Sequence, residues 1–151
     1  MQRAHNEYEL DDNPERIDFE RVHGWLQTTC GSPGIEREQV EKAARGSALL
    51  VGTYRDGKQV GYLRVISDKT TFAWICDIFV DEGHQGSGIG KAMVQFALGH
   101  PDYQELHRWL LATRDAQGVY HAVGFNILPN PEQWMIFLPD KSPEPRACEQ
   151  P

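Results

Sequence analysis

Three glycines at alternating positions, Gly86, Gly88 and Gly90, precede Lys91 in the stretch HQGSGIGKAM, and an apolar run follows. The chemistry open to so much bare backbone is anion binding. The first amides of a helix lack partners and carry a partial positive charge. Glycines ahead of them let the chain curl until N–H groups converge, with no side chain in a ligand's way. Phosphate suits such a cradle. Two nucleotide readings fail on spacing. A Walker A loop needs an upstream glycine where Gln85 stands, and Ser or Thr where Ala92 follows Lys91. The dinucleotide fingerprint needs glycine at the place of Lys91, counting from Gly86. Lys91 itself could reach a phosphate or face solvent.

Asp77 is the second residue that demands a reason. It interrupts the apolar run TTFAWICDIFV, where a carboxylate is costly unless paired or functional. Strict alternation puts it on the face of Ile75 and Phe79, opposite Trp74, Cys76 and Ile78. A carboxylate of raised pKa there could act as a base, directly or through water. Equally, it could pair with Arg64, which interrupts VGYLRVI in the same way. The two readings are compatible, because a buried pair beside a reacting centre could recognise a polar substrate. Glu82, His84, Asp115 and His121 are weaker candidates for the base. Cys76 reads as a small apolar strand residue rather than a nucleophile. Trp25, Trp74, Trp109 and Trp134 read as core, with an aromatic pocket wall as the alternative.

The pattern Gln-x-x-Gly-x-Gly, at Gln85, Gly88 and Gly90 around Gly86, Ser87 and Ile89, resembles the acyl-CoA-binding motif of the GNAT superfamily of N-acetyltransferases. DIFVDEGHQGSGIGKAM is similar to that family's strand–loop–helix, with Ile78 and Val80 at the strand's apolar positions. TRDAQGVYHAVGF resembles the second signature, an alanine, then a tyrosine, then Gly-Phe. Together the landmarks run from about Ser47 to Phe125. The resemblance implies that Gln85 to Lys91 hold the coenzyme A pyrophosphate, and that the backbone of Ile78, Phe79 and Val80 bonds the pantetheine arm and supplies an oxyanion donor. It implies that Tyr120, at the family's tyrosine position, gives a proton to the departing thiolate or positions the thiol. Its phenol can donate without charge at neutral pH. Two positions depart from the family pattern: Glu82 stands in place of a common proline, and Thr113 in place of a common asparagine. The second puts in doubt how Thr113 helps to hold the pantetheine arm or thiol.

The implied function is acetyl transfer from acetyl-CoA to a primary amine of a small molecule, a lysine side chain or an N-terminus, by direct attack in a ternary complex. Asp77 and Arg64 are the candidate substrate ligands, with Asp77 also the tentative base. The alternative is a non-catalytic acyl-CoA-binding sensor or interaction module. The partner set is then an amine substrate, with no nucleic acid or membrane, in a monomer or homodimer. The acceptor pocket is expected among the N-terminal helices, the SPG stretch at Ser32 to Gly34, and residues from Pro129 to Trp134.

These residues need elements to position them. Ile17, Phe19, Val22 and Leu26 fall at helical spacing, and GIEREQVEKAARG continues as a second helix closed at Gly46. Asp56-Gly57 marks a hairpin between ALLVGTYR and KQVGYLRVI, and Asp68-Lys69 a further turn. TTFAWICDIFV is a long strand whose apolarity suggests burial on both faces. A helix follows the glycines with Ile89, Met93, Phe96 and Ala97 on one side. RWLLAT reads as a short buried strand, DAQGVYHAVGF as a short helix closed by Gly124, and NILPNPEQWMIFLP as one or two final strands. The expected fold is a single mixed α/β domain of GNAT type over residues 1–138, a twisted, mostly antiparallel sheet with helices on both sides. Residues 139–151 are expected to form a flexible tail.

The chain of 151 residues suffices for one domain with a real core, and its net charge of -7 argues against a nucleic-acid backbone and leans towards cationic partners. An odd cysteine count (Cys30, Cys76, Cys148) without metal-type spacing speaks against a disulfide framework or zinc site. No apolar leader or membrane-length run is visible, so the expected home is the reducing cytoplasm.

Overall fold

The computed structural model describes residues 1–29 and 33–139. Ser32, Cys30, Cys148 and most of the expected tail lie outside the described residues. The chain forms a single mixed α/β domain around an open sheet of order β1-β2-β3-β4-β5-β6. Its strands are β1 (Gln2–His5), β2 (Tyr8–Asp11), β3 (Leu49–Arg55), β4 (Lys58–Ser67), β5 (Phe72–Val80) and β6 (Arg108–Leu111). Neighbours pair antiparallel up to β5, and β6 joins β5 in parallel.

Period-two alternation on β3 and β4 divides the core. Leu49, Val51, Leu63 and Val65 face the helix α3 (Ile89–Leu98), whose Met93, Val94, Phe96 and Ala97 are fully buried. Leu50 and Tyr62 face the other way, onto α1 (Phe19–Leu26) and α2 (Arg37–Arg45), through Val22, Leu26, Val40 and Ala44. Each large apolar side chain removed from water in this way stabilises the fold by about 1.5–3 kcal/mol. The helix starts are capped in the expected manner: Asp18 accepts from the Glu20 and Arg21 amides, and Glu36 with Gln39 forms a capping box. At the β3–β4 turn both Asp56 and Gly57 have positive φ (49° and 76°), the conformation that matches the strands' twist.

Four expectations need correction. The chain opens on the β1–β2 hairpin rather than a helix. Asn6 turns it at φ 53°, and Tyr8, Leu10 and Asp11 of β2 are buried while β1 is mostly exposed. On β5 just Ala73 and Ile75 are fully buried, the remainder being half-buried. β6 is half-buried at best, with Arg108 exposed. No strand forms between Asn126 and Pro139; that stretch holds a 3-10 turn at Pro131–Gln133 and exposed apolar residues. The short helix α4 (Gln117–His121) is present, and Gly124 follows it at φ 98°. Among the described residues no helix is long and apolar enough to cross a membrane.

Candidate functional site

The glycine stretch forms the corner between β5 and α3. Gly86 and Gly88 have φ of 77° and 82°, a region that side-chain-bearing residues enter at a cost. A Cβ at Gly86 would meet nothing within 4 Å, and one at Gly90 would meet only Val80 Cγ2 at 3.9 Å. The corner is therefore open on its outer side, and it is glycine for conformation and access rather than for packing. Gly88 is the N-cap of α3 and brings no side-chain cap; the Ala92 amide makes the helix's first bond, to the Gly88 carbonyl. The amides ahead of it are left to a ligand or water.

Loop contacts hold this corner in place. The Gln85 carboxamide donates to the Val80 carbonyl at 3.1 Å, tying the loop to the end of β5. Ser87 Oγ donates to the His84 carbonyl. The His84 ring hydrogen-bonds the Tyr8 hydroxyl at 3.2 Å, with the rings edge-on at 5.7 Å. His5 Nε2 lies 3.5 Å from where a Gly88 Cβ would stand. His84 is thus a brace for the loop, and Tyr8 and His5 join it from a hairpin that the sequence reading did not contain. Lys91 is exposed on the first turn of α3.

Among the described residues, β5 leads into this corner with part of its outer edge unpaired. Phe72 to Ile75 pair with Arg108 to Leu111 of β6, and β6 ends there. The edge from Cys76 to Val80 continues beyond it towards the glycines, so its main-chain groups on that side are open to a ligand. Ile78 and Val80 pack their side chains against the α3-side core, leaving only backbone for such a role. Phe79 stacks on Trp25 at 5.2 Å and 15°, and the Arg21 guanidinium, bonded to Asp81 at 3.0 Å, lies 5.3 Å over Trp25.

Asp77 sits in a β-bulge. Arg64 is opposite Cys76 and Tyr62 is opposite Phe79, so β5 carries an extra residue there, and Asp77 takes φ 53°. The bulge corrects the alternation argument. Ile75 faces the α3-side core, whereas Asp77 turns to Arg64, whose Nε donates to its carboxylate. The pair is about one-sixth exposed at each side chain (16 % and 18 %), so water still reaches it. Burial opposes the Arg64 charge, but the hydrogen bond and charge of Asp77 outweigh it and hold the guanidinium above its ordinary range. The bulge explains why both interrupting charges sit where they do.

Beside the pair, Tyr62 is fully buried and its hydroxyl has no hydrogen-bond partner among the described residues. Burial, partly offset by Arg64, pushes its phenol well above the usual range. An orphan hydroxyl in a core is expensive, and Tyr62 marks this spot as polar in a way that its place in an alternating strand did not signal. Burial likewise pushes the Cys76 thiol up to about 11, which leaves it a poor nucleophile.

Tyr120 and Thr113 line a groove of about 1210 Å³ along β6 and α4, and Tyr120 packs against the same core as Ile78 and Val80; Gln85 to Lys91 and Asp77 are not among the groove's lining residues. Tyr120 is half-buried on α4 and meets Phe125 edge-on at 6.3 Å. Burial, with a lesser push from Asp115, raises its phenol above the ordinary value, so it stays protonated at neutral pH. Thr113 Oγ1 accepts from the Ala116 amide and steadies the start of α4. Glu82, Asp115 and His121 are exposed. Of the tryptophans, Trp74 borders this groove, Trp109 meets Tyr103 edge-on, and Trp134 is 46 % exposed, not core.

The fold is thus an open mixed sheet whose penultimate strand runs into a glycine-rich helix start. Residues 8–125 match the acetyltransferase (GNAT) family, and the chain belongs to that family. This classes it with enzymes of the GNAT N-acetyltransferase type, whose general acetyl donor is acetyl-CoA. A crystal structure of a protein belonging to the GNAT family from Xanthomonas campestris pv. campestris superposes with a TM-score of 0.84 at 34 % identity, covering 89 % of this chain and 95 % of that one. The Gibberella zeae protein FG08082 is 36 % identical over 73 residues, 46 % of this chain and 38 % of that one. The histone acetyltransferase TAP1 of Glycine max is 26 % identical over 130 residues, 76 % of this chain and 56 % of that one. The matches thus span little more than half of these two relatives at most.

Proposed function

We propose that this chain transfers acetyl from acetyl-CoA to a primary amine of a small molecule, a lysine side chain or an N-terminus, by direct attack with both reactants bound. The observation that carries this reading is the bare edge of β5 from Cys76 to Val80, running straight into the uncapped, left-handed glycine corner of α3. A long main-chain donor edge ending in an anion cradle fits a thioester carrier with a pyrophosphate and fits a short nucleotide poorly. Ser87 to Lys91 and Gly86 would hold the pyrophosphate by backbone amides, and Ile78 to Val80 the pantetheine arm. When bound, acetyl-CoA supplies an activated acyl group and a thiol leaving group.

The chain's own residues then divide the remaining work. The bulge at Asp77 frees backbone amides of β5 for an oxyanion. Tyr120 keeps a transferable proton on its hydroxyl through neutral pH. Asp77 and Arg64 form a dipolar anchor beside the buried Tyr62 hydroxyl, able to orient a polar acceptor, with the Asp77 carboxylate to relay the amine's proton. Trp25 and Phe79 wall the acceptor side. The net charge of -7 favours approach of a cationic amine.

The test is release of free thiol from acetyl-CoA with polyamines, amino sugars and lysine peptides as acceptors, with products weighed by mass spectrometry. The expected result is one acetyl added to an amine of at least one class. Acetyl-CoA binding with no acetylated product in any class would overturn the enzymatic reading and leave a binding module.

A further inference from the structure

Arg64 and Asp77 have more hydrogen-bonding capacity than their mutual contact uses. A guanidinium carries five N–H groups. In Arg64, Nε donates to Asp77 Oδ2 and Nη1 donates to Ser47 Oγ at 3.4 Å. Ser47 donates in turn to the Ala43 carbonyl of α2, so the guanidinium is steadied from behind. Among the described residues, Nη2 of Arg64 and Oδ1 of Asp77 have no partner, and neither is a buried orphan. Both atoms therefore open onto water, on side chains that are partly exposed.

The backbone is strained to present this pair. Asp77 takes φ 53° at the bulge, and strain of that kind persists where it serves a site. Tyr62, on the same face of β4 as Arg64, is fully buried with its hydroxyl unpaired. Phe79 is opposite Tyr62 and so shares that face, with Trp25 stacked on it. An unpaired hydroxyl beside a half-open ion pair is a place where a bound molecule completes the hydrogen bonding.

Charge selects that molecule. One guanidinium and one carboxylate sum to zero, and the next carboxylate along the strand, Asp81, is taken by Arg21 at 3.0 Å. A polyamine would face Arg64 with no further carboxylate to offset it. A molecule with an ammonium and a carboxylate close together matches both spare groups, the ammonium at Asp77 Oδ1 and the carboxylate at the Arg64 fork. Proton transfer gives a second reason. Protonating Asp77 would leave Arg64 without a counter-charge unless the acceptor brings a carboxylate of its own.

We propose that the acceptor is a free α-amino acid, its amine on Asp77, its carboxylate on Arg64 and its side chain against Trp25 and Phe79. This rests on the acetyl-transfer reading above and narrows it, because a protein N-terminus or a lysine side chain has no carboxylate beside its amine. Asp77 takes one proton from the ammonium and passes it to water. The freed nitrogen attacks the thioester carbon, the C–S bond breaks, and a second proton leaves the nitrogen for water as the amide forms. Tyr120 gives its proton to the leaving sulfur and regains one from water, so that one proton is released in all.

The test adds free amino acids, each paired with its own amide, to the acceptors offered with acetyl-CoA, and reads thiol release and product mass. At least one free acid should react with a kcat/KM about 100-fold above that of its amide, the scale of a lost charge-assisted contact. R64M should bring that ratio below about 5, and R64K, which keeps the charge but not the fork, should restore part of it, with melts confirming that both are folded. Calorimetric titration of the same acid and amide into protein saturated with coenzyme A reads recognition without turnover. Acid and amide alike in both assays, or a ratio unmoved in R64M, would overturn the proposal and leave acetyl transfer standing. Binding of the acid over its amide with no acetylated product would support amino acid recognition and overturn the transfer reading. Neither binding nor reaction of any free amino acid would overturn the proposal, whichever other amines react.

Discussion

Replacing Tyr120 with Phe removes a single oxygen from a half-buried ring whose edge-on contact with Phe125 needs only the aromatic frame. Stability should therefore change by less than about 0.5 kcal/mol, as for other substitutions that spare packing. Acetyl-CoA affinity should stay within threefold, because the glycine corner and the β5 edge are untouched. The loss falls on turnover. A positioned general acid contributes about 10²–10⁴-fold, equivalent to roughly 2.7–5.4 kcal/mol of barrier at 1.36 kcal/mol per decade. The acid works only while protonated, and burial raises its pKa above the ordinary value near ~10. Wild-type kcat should thus lose this contribution only as pH rises beyond that value. The variant should lack that alkaline limb. Steady-state thiol release from pH 7 to 11 on the best acceptor, with calorimetric titration of acetyl-CoA, reads both. A variant with kcat within threefold of wild type, or one that loses cofactor affinity in step with rate, would refute the assignment of Tyr120.

Arg64→Met should leave the Asp77 carboxylate without its partner. Breaking a buried pair costs about 3–5 kcal/mol, and with these groups about one-sixth exposed the expected loss is nearer ~2–3 kcal/mol, read by urea denaturation. The double variant R64M/D77L should recover part of that stability while acceptor KM still rises. Gly57→Ala forces an L side chain into φ 76° and should cost about 1–2 kcal/mol, a fall in Tm of several degrees with acetyl-CoA binding unaffected. Acid should weaken the N-terminal hairpin. Burial would raise the Asp11 pKa, but bonds from Arg16, Gln2 and the Asn13 amide prevail and hold it below the ordinary range. Its folded pKa being depressed, its stabilisation is complete above about pH 4 and fades as pH falls through the lower folded value. Urea midpoints from pH 6 to 2 should fall less steeply in D11N than in wild type.

The parts of the fold that are legible in the residues are those with strong local signals. The Asp56-Gly57 turn, the apolar stripe of Ile89, Met93, Phe96 and Ala97, and the glycines at positive φ each follow from backbone sterics or periodicity. The β1–β2 hairpin was hidden because β1 is exposed and has no apolar alternation to show. The face of Asp77 was misread because a bulge inserts one residue, and a single inserted residue reverses every inside–outside assignment beyond it. Composition did not distinguish WMIFL as a final core strand from an exposed arm. A run of β-prone apolar residues looks the same whether or not a neighbouring strand covers it. Arg64 and Asp77 were legible as misfits in apolar strands, whereas Tyr62 was not, since its anomaly is a hydroxyl left without a partner.

The most direct measurement is calorimetric titration of the protein with acetyl-CoA, with ATP and NAD as controls and a Gly88→Glu variant alongside. The glutamate would carry bulk and negative charge into the open corner at φ 82°, and a thermal melt confirms that the variant is folded. Acetyl-CoA should bind wild type, the controls should not, and the variant should bind at least 100-fold more weakly. Binding of ATP or NAD in place of acetyl-CoA, or a folded variant that binds acetyl-CoA as wild type does, would contradict the assignment of the glycine corner to the coenzyme A pyrophosphate.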